Sequence, residues 1–100
     1  MNFEKPVKDI YNLVRGCDPQ PGAYTIFRGK KVRFYDAKLL SPLADKPKGG
    51  IVSIQEEGVR ITGEGGIIQI GKLRVDKGEK IGPIEFAKLV GVKIGDLFGK

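Results

Sequence analysis

The sequence contains no histidine. That removes the commonest general base and the commonest protein metal ligand, and it excludes any Ser–His or Cys–His nucleophilic site. Cysteine is nearly as scarce. Cys17 is the one thiol in 100 residues, so it has no partner for an internal disulfide or for a metal site. Its plain reading is a small residue in a loop. No apolar run approaches the ~18–20 residues of a membrane span, and the N-terminus lacks the charged-then-apolar order of a signal peptide. These absences predict a soluble, cytoplasmic chain with no membrane partner. Aromatic residues are also few, three Tyr and five Phe, so a compact core claims most of them.

An apolar fraction of 40% is enough for such a core, and 15 glycines predict many turns and short strands. A hundred residues suit one domain over residues 1–100 and leave little room for a deep cofactor cleft. The net charge is +6, but its distribution is uneven. Residues 1–50 carry ten Lys/Arg against five Asp/Glu, whereas residues 51–100 carry eight against seven. The basic excess therefore sits in the front half, where it can form a patch for an anionic partner.

Val7, Ile10, Tyr11 and Val14 follow the i, i+3, i+4, i+7 spacing of one helix face. Pro6 suits the first turn of that helix and Gly16 suits its left-handed end. Asp18-Pro19-Gln20-Pro21-Gly22 reads as a stiff loop, because each proline pushes its predecessor out of the helical region. Ala23 to Phe27 and Lys31 to Leu40 read as a hairpin around Arg28-Gly29-Lys30. Val32 and Phe34 fall on one face of its second strand, Arg33 and Tyr35 on the other. Ser41 to Gly50, with two prolines and a Gly pair, reads as a mobile loop.

Three further strands are predicted over 50–55, 59–63 and 67–75, with turns at Glu56-Glu57-Gly58 and Glu64-Gly65-Gly66. Ile68 and Ile70 share one phase, Leu73 and Val75 the other, and the switch at Gly71 predicts a β-bulge. A short helix over Pro83 to Val90, ended by Gly91, and an apolar tail from Ile94 to Phe98 complete the chain. Five short strands flanked by helices predict a mainly β fold, a small, partly open Greek-key barrel of the OB type.

The order of these pieces carries a resemblance. RGCDPQPGAYTIFRGKKVRFYDA, from Arg15 to Ala37, contains Arg15, Pro19-x-Pro21-Gly22-Ala23 and the Gly29-Lys30-Lys31 turn. Gly50-x-Val52 and Gly78-x-Lys80-Ile81 followed by Glu85-Phe86 extend it. Over about Ile10 to Phe86 the chain resembles the C-terminal domain of the methionyl-tRNA formyltransferase family. That family also takes in formyltetrahydrofolate hydrolases and dehydrogenases and sugar formyltransferases. The resemblance implies an accessory module, with no activity and no cofactor of its own. Its catalytic partner would be an N-terminal formyltransferase domain that uses 10-formyltetrahydrofolate and an Asn, His and Asp set. A chain without histidine lacks that set. The resemblance further implies initiator methionyl-tRNA as a partner, and hence a part in translation initiation. A structural docking role in another formyl-handling enzyme and a stand-alone OB-like nucleic-acid binder remain the alternatives.

Arg28, Lys30, Lys31, Arg33 and Lys38 lie within eleven positions and are opposed only by Asp36. They are the candidate nucleic-acid contacts, with Lys72 and Arg74 extending the patch if their strand neighbours the hairpin. The plain alternative is a solvated hairpin that keeps its edge from pairing with other chains. Tyr24, Phe27, Phe34 and Tyr35 could form a stacking platform, but packing is the better reading for most of them. Arg15, Asp18, Pro19, Pro21 and Gly22 form the candidate surface for docking on a catalytic domain. Gly63-Glu64-Gly65-Gly66 lacks the lysine of a phosphate loop and reads as a turn. The double substitution Lys30→Glu with Lys31→Glu is expected to abolish tRNA binding, seen by titration, while the circular dichroism spectrum stays unchanged.

Overall fold

The computed structural model describes residues 5–17, 22–40, 49–63 and 65–98. Asp18, Pro19 and Pro21 of the candidate docking loop lie outside them, as do residues 41–48 of the predicted mobile loop. Helix α1 spans Val7–Cys17 and buries Val7, Ile10 and Val14, the apolar stripe expected from their spacing. It runs past Gly16, which takes no left-handed conformation. Among the described residues that follow, Gly22 is left-handed (φ 84°), and its N–H donates to the Cys17 carbonyl at 2.9 Å. Cys17 thus closes the helix and packs, half-buried, against the core.

Six strands follow: β1 (Ala23–Phe27), β2 (Lys30–Leu40), β3 (Ile51–Gln55), β4 (Gly58–Gly63), β5 (Gly66–Val75) and β6 (Lys80–Ile81). Helix α2 spans Pro83–Val90, with Pro83 in its first turn and Gly91 left-handed (φ 69°) at its end. All pairings are antiparallel and the strand order is β1-β2-β5-β4-β3. Strands β3, β4 and β5 form a meander, and the long connection from β2 brings β2 beside β5. That order is the Greek key, left as an open sheet. The sixth strand was absent from the count of five: Lys80–Ile81 is only two residues long and pairs with Arg74 and Leu73 of β5. No helix among the described residues is long and apolar enough to cross a membrane.

The phase change in β5 occurs where the sequence places it, but by a different device. Ile68, Ile70 and Leu73 are all fully buried, so the inward phase does switch at Gly71. No residue is inserted, however. Tyr35 pairs with Lys72 and Ala37 with Ile70, an unbroken register that leaves Asp36 opposite Gly71. Asp36 takes a left-handed φ of 56° and turns both strands together. A Cβ at position 71 would fall on the Asp36 carboxylate and within 3.2 Å of its carbonyl oxygen, which explains the glycine. The sheet's irregularity in register lies elsewhere, between Ile51 and Ser53 on β3.

The core joins α1, the inner face of the sheet, α2 and the C-terminal tail. Val7 lies against Gly63 and Gly66 at the β4–β5 turn. At the other end, Phe27, Phe34, Phe86 and Phe98 form an aromatic cluster with ring centroids 5.0–6.3 Å apart. The tail is laid along the edge of the sheet by Phe98 N–H to Gly49 O (2.9 Å) and Ile51 N–H to Asp96 O (2.8 Å). Phe98→Ala removes the ring that touches the other three and is expected to cost about 3–4 kcal/mol. Urea unfolding with an unchanged m-value checks this. Gly71→Ala is expected to destabilise by about 1–3 kcal/mol, because the new methyl group overpacks against Asp36.

Candidate nucleic-acid interface

The hairpin turn between β1 and β2 is Arg28-Gly29, with φ of 52° and 81°. Positive φ at both positions is the geometry that matches strand twist in a two-residue hairpin. Arginine is an unusual first residue there, and its side chain supplies the reason. Its Nη1 donates to the carbonyls of Val90 and Gly91, each at 3.2 Å, and Nη2 donates to Asp96 Oδ2 at 2.8 Å. Arg28 therefore caps the negative end of α2 and forms an ion pair with the tail. Its guanidinium, half-exposed, is committed to partners within the chain.

Lys31 and Arg33 face the opposite way. β1 alternates buried Ala23, Thr25 and Phe27 with exposed Tyr24 and Ile26. On β2, Val32 and Phe34 are fully buried, while Lys31, Arg33 and Tyr35 occupy the other face, as the alternation requires. The condition placed on Lys72 and Arg74 is met, since β5 is the neighbour of β2. Tyr24, Arg33, Arg74 and Lys80 are successive cross-strand partners on β1, β2, β5 and β6. Cross-strand partners project from the same face, so these four side chains form a row. One step along, Lys72 stands opposite Tyr35.

Aromatic rings are interleaved with these cations. Lys31 Nζ lies 4.6 Å and the Arg33 guanidinium carbon 5.6 Å from the centre of the Tyr24 ring. Lys80 Nζ lies 4.0 Å over Tyr35. Tyr24 is 44% exposed, whereas Phe27, Phe34 and Tyr35 are buried. The packing reading therefore holds for three of the four aromatics. Arg33 Nη1 also donates to Gly22 O at 2.8 Å. Gly22 must be glycine, since a Cβ there would lie 2.6 Å from the Tyr35 hydroxyl. The one described residue of the Pro-Gly loop is thus tied to the basic face. Arg15, in contrast, is exposed on the last turn of α1, 5.3 Å from the Tyr11 ring.

Lys30 is exposed at the hairpin tip. Lys38 is exposed too, but past the turn at Asp36, where it pairs with Gln69; the Gln69 amide oxygen accepts from Arg60 Nε at 3.0 Å. The structure thus gathers Lys31, Arg33, Lys72 and Arg74 on one face, leaves Lys30 at the tip, sets Lys38 apart and ties Arg28 to the end of α2 and to Asp96. It adds Tyr24, Lys77 and Lys80. Tyr24 was readable from its alternation with Thr25. Lys77 and Lys80 were not, because their place depends on the short pairing of β6 with β5.

Comparisons with known proteins agree with this architecture. The family model described as "Formyl transferase, C-terminal domain" matches residues 1–90. A methionyl-tRNA formyltransferase of Moorella thermoacetica is 34% identical over 83% of this chain and 26% of its own length. One from Clostridium botulinum is 31% identical over 81% of this chain and 26% of its own. The crystal structure of HypX from Aquifex aeolicus, in complex with tetrahydrofolic acid, superposes with a TM-score of 0.76 and 28% identity, over 91% of this chain and 16% of that one. This chain spans 26% of the length of those two curated relatives. A Greek-key sheet with two short helices, matched by the family model over nine-tenths of its length, belongs to the formyl transferase C-terminal domain family.

Proposed function

We propose that this domain holds tRNA through the outer face of β1, β2, β5 and β6, as the non-catalytic partner of a formyltransferase domain. The carrying observation is the cross-strand row Tyr24, Arg33, Arg74 and Lys80, with Lys31, Lys72 and Lys77 around it. A face of this kind meets phosphates with its cations and offers an exposed ring between them. Such contacts position an RNA without reading its sequence. Formyl transfer from 10-formyltetrahydrofolate to the amino group of initiator methionyl-tRNA would then be the work of the catalytic domain. The family match and the names of the curated relatives support that assignment, and with it a place in cytoplasmic translation initiation. The likeness to HypX, solved with tetrahydrofolic acid, supports a second reading, in which the domain is a structural docking module of a folate-binding enzyme and holds no tRNA itself. Under either reading Arg15 and the loop from Asp18 through Pro19 and Pro21 to Gly22 are the proposed contact with the catalytic domain.

A tRNA titration across salt concentrations separates the two readings. With about five phosphates engaged, affinity should fall with a log–log salt slope near −4. No binding even at low salt would leave the docking role. Arg28 provides an internal control. Arg28→Ala is expected to lower the melting temperature by about 4 °C or more through loss of the α2 cap and ion pair. It should change tRNA affinity less than Lys72→Ala does, since its guanidinium already has partners within the chain.

A further inference from the structure

Arg33 and Arg74 stand directly opposite each other on neighbouring strands, where like charges repel. Neither has a carboxylate partner among the described residues. Arg33 Nη1 is held by the Gly22 carbonyl, and Arg74 Nε by the Gly78 carbonyl at 2.6 Å. Carbonyls fix the orientation of a guanidinium without cancelling its charge. Arg28, five positions before Arg33, shows the other solution, an ion pair with Asp96 at 2.8 Å. Arg33 lines a hollow of about 520 Å³ together with Lys31, Asp76 and Lys77. Three cations there face one carboxylate, and Asp76 Oδ1 is already engaged by the Lys31 N–H at 3.0 Å. The Asp76 N–H in turn donates to Lys31 O at 2.7 Å, so the floor of the hollow is pinned to β2.

We infer that this hollow is a phosphate subsite, in which Arg33, Lys31 and Lys77 hold one phosphate group and the opposed Arg74 supplies further positive potential. The inference rests on the proposed RNA-binding face and deepens it: one phosphate is gripped at a fixed point, and the remaining cations add diffuse attraction. The repulsion between the two arginines is a cost to the free domain that a bound anion relieves. Binding and stability are therefore opposed at position 74. Removing its charge should stabilise the empty domain and weaken its hold on phosphate.

The test uses the 100-residue chain with inorganic phosphate as probe, against chloride at matched ionic strength. Phosphate should shift the Arg33 and Arg74 side-chain N–H resonances saturably and leave those of Arg28 in place. It should also raise the melting temperature. Arg74→Gln is expected to melt up to about 4 °C higher than the wild type in chloride. It should lose most of the extra stabilisation that phosphate confers on the wild type. Lys77→Gln, on an exposed turn, should lose the phosphate shift while keeping its fold. Equal phosphate stabilisation of wild type and both variants would overturn the subsite, as would resonance changes no larger than those in chloride. The RNA reading fails separately. Phosphate binding without tRNA binding assigns the subsite to a free phosphate ester. tRNA binding that Arg74→Gln and Lys77→Gln leave unchanged sinks the subsite and keeps the face.

Discussion

The ladder between β2 and β5 is the constraint on which the rest of the molecule depends. These are the two longest strands, eleven and ten residues, and they run in unbroken register from Val32–Val75 to Leu40–Ile67. On one side β2 carries β1; on the other β5 carries β4 and β6. One pairing therefore decides both faces at once. It sends Phe34 and Leu73 together into the core, and it sets Arg33 against Arg74 outside. A slip of one residue would exchange the two sets, burying the guanidiniums and exposing the aromatic ring. Burial of Phe34 against Phe98 thus fixes the register that opposes the arginines.

The basic residues divide into two groups by what neutralises them. Arg28 spends its donors on the end of α2 and on Asp96, and it fastens the hairpin turn to the C-terminal part of the chain. Arg33 and Arg74 are oriented by carbonyls and have no carboxylate partner among the described residues. Position in sequence does not distinguish these groups, since Arg28 sits in the hairpin turn and Arg33 only five residues further on. The direction of the side chain does. Arg28 occupies a left-handed turn residue that reaches back over the edge of the sheet, and Arg33 stands on the outward face of a strand.

Asp36 and Gly71 show how a short protein bends a sheet without lengthening a strand. A left-handed aspartate opposite a glycine turns both strands at one level and keeps every other pair in step. The inward phase then continues through Ile70 and Ile68, and α1 can lie across β2 with Val7 at the β4–β5 turn. The same bend sets Lys38 apart from Arg33, although the two are only five positions apart on one strand.

Local signals made most of the fold legible. Apolar spacing marked α1, proline and glycine bounded α2, and alternation on β2 and β5 separated core from surface, because these depend on neighbours along the chain. The change of phase at Gly71 was visible in Ile70 and Leu73, but its device was hidden, since Asp36 lies on another strand. Likewise the sequence marked the hairpin as basic, and the order of its motifs pointed to the family. It could not say that Arg28 would find Asp96, that β6 would bring Lys80 beside Arg74, or that Arg33 and Arg74 would meet. By itself, the sequence determined both helices, five of the six strands, most core-facing residues and the sign of the surface. Which charges are cancelled and which are left opposed was decided by tertiary structure alone, because cancellation depends on partners brought close in space by the β2–β5 pairing and the return of the C-terminal tail.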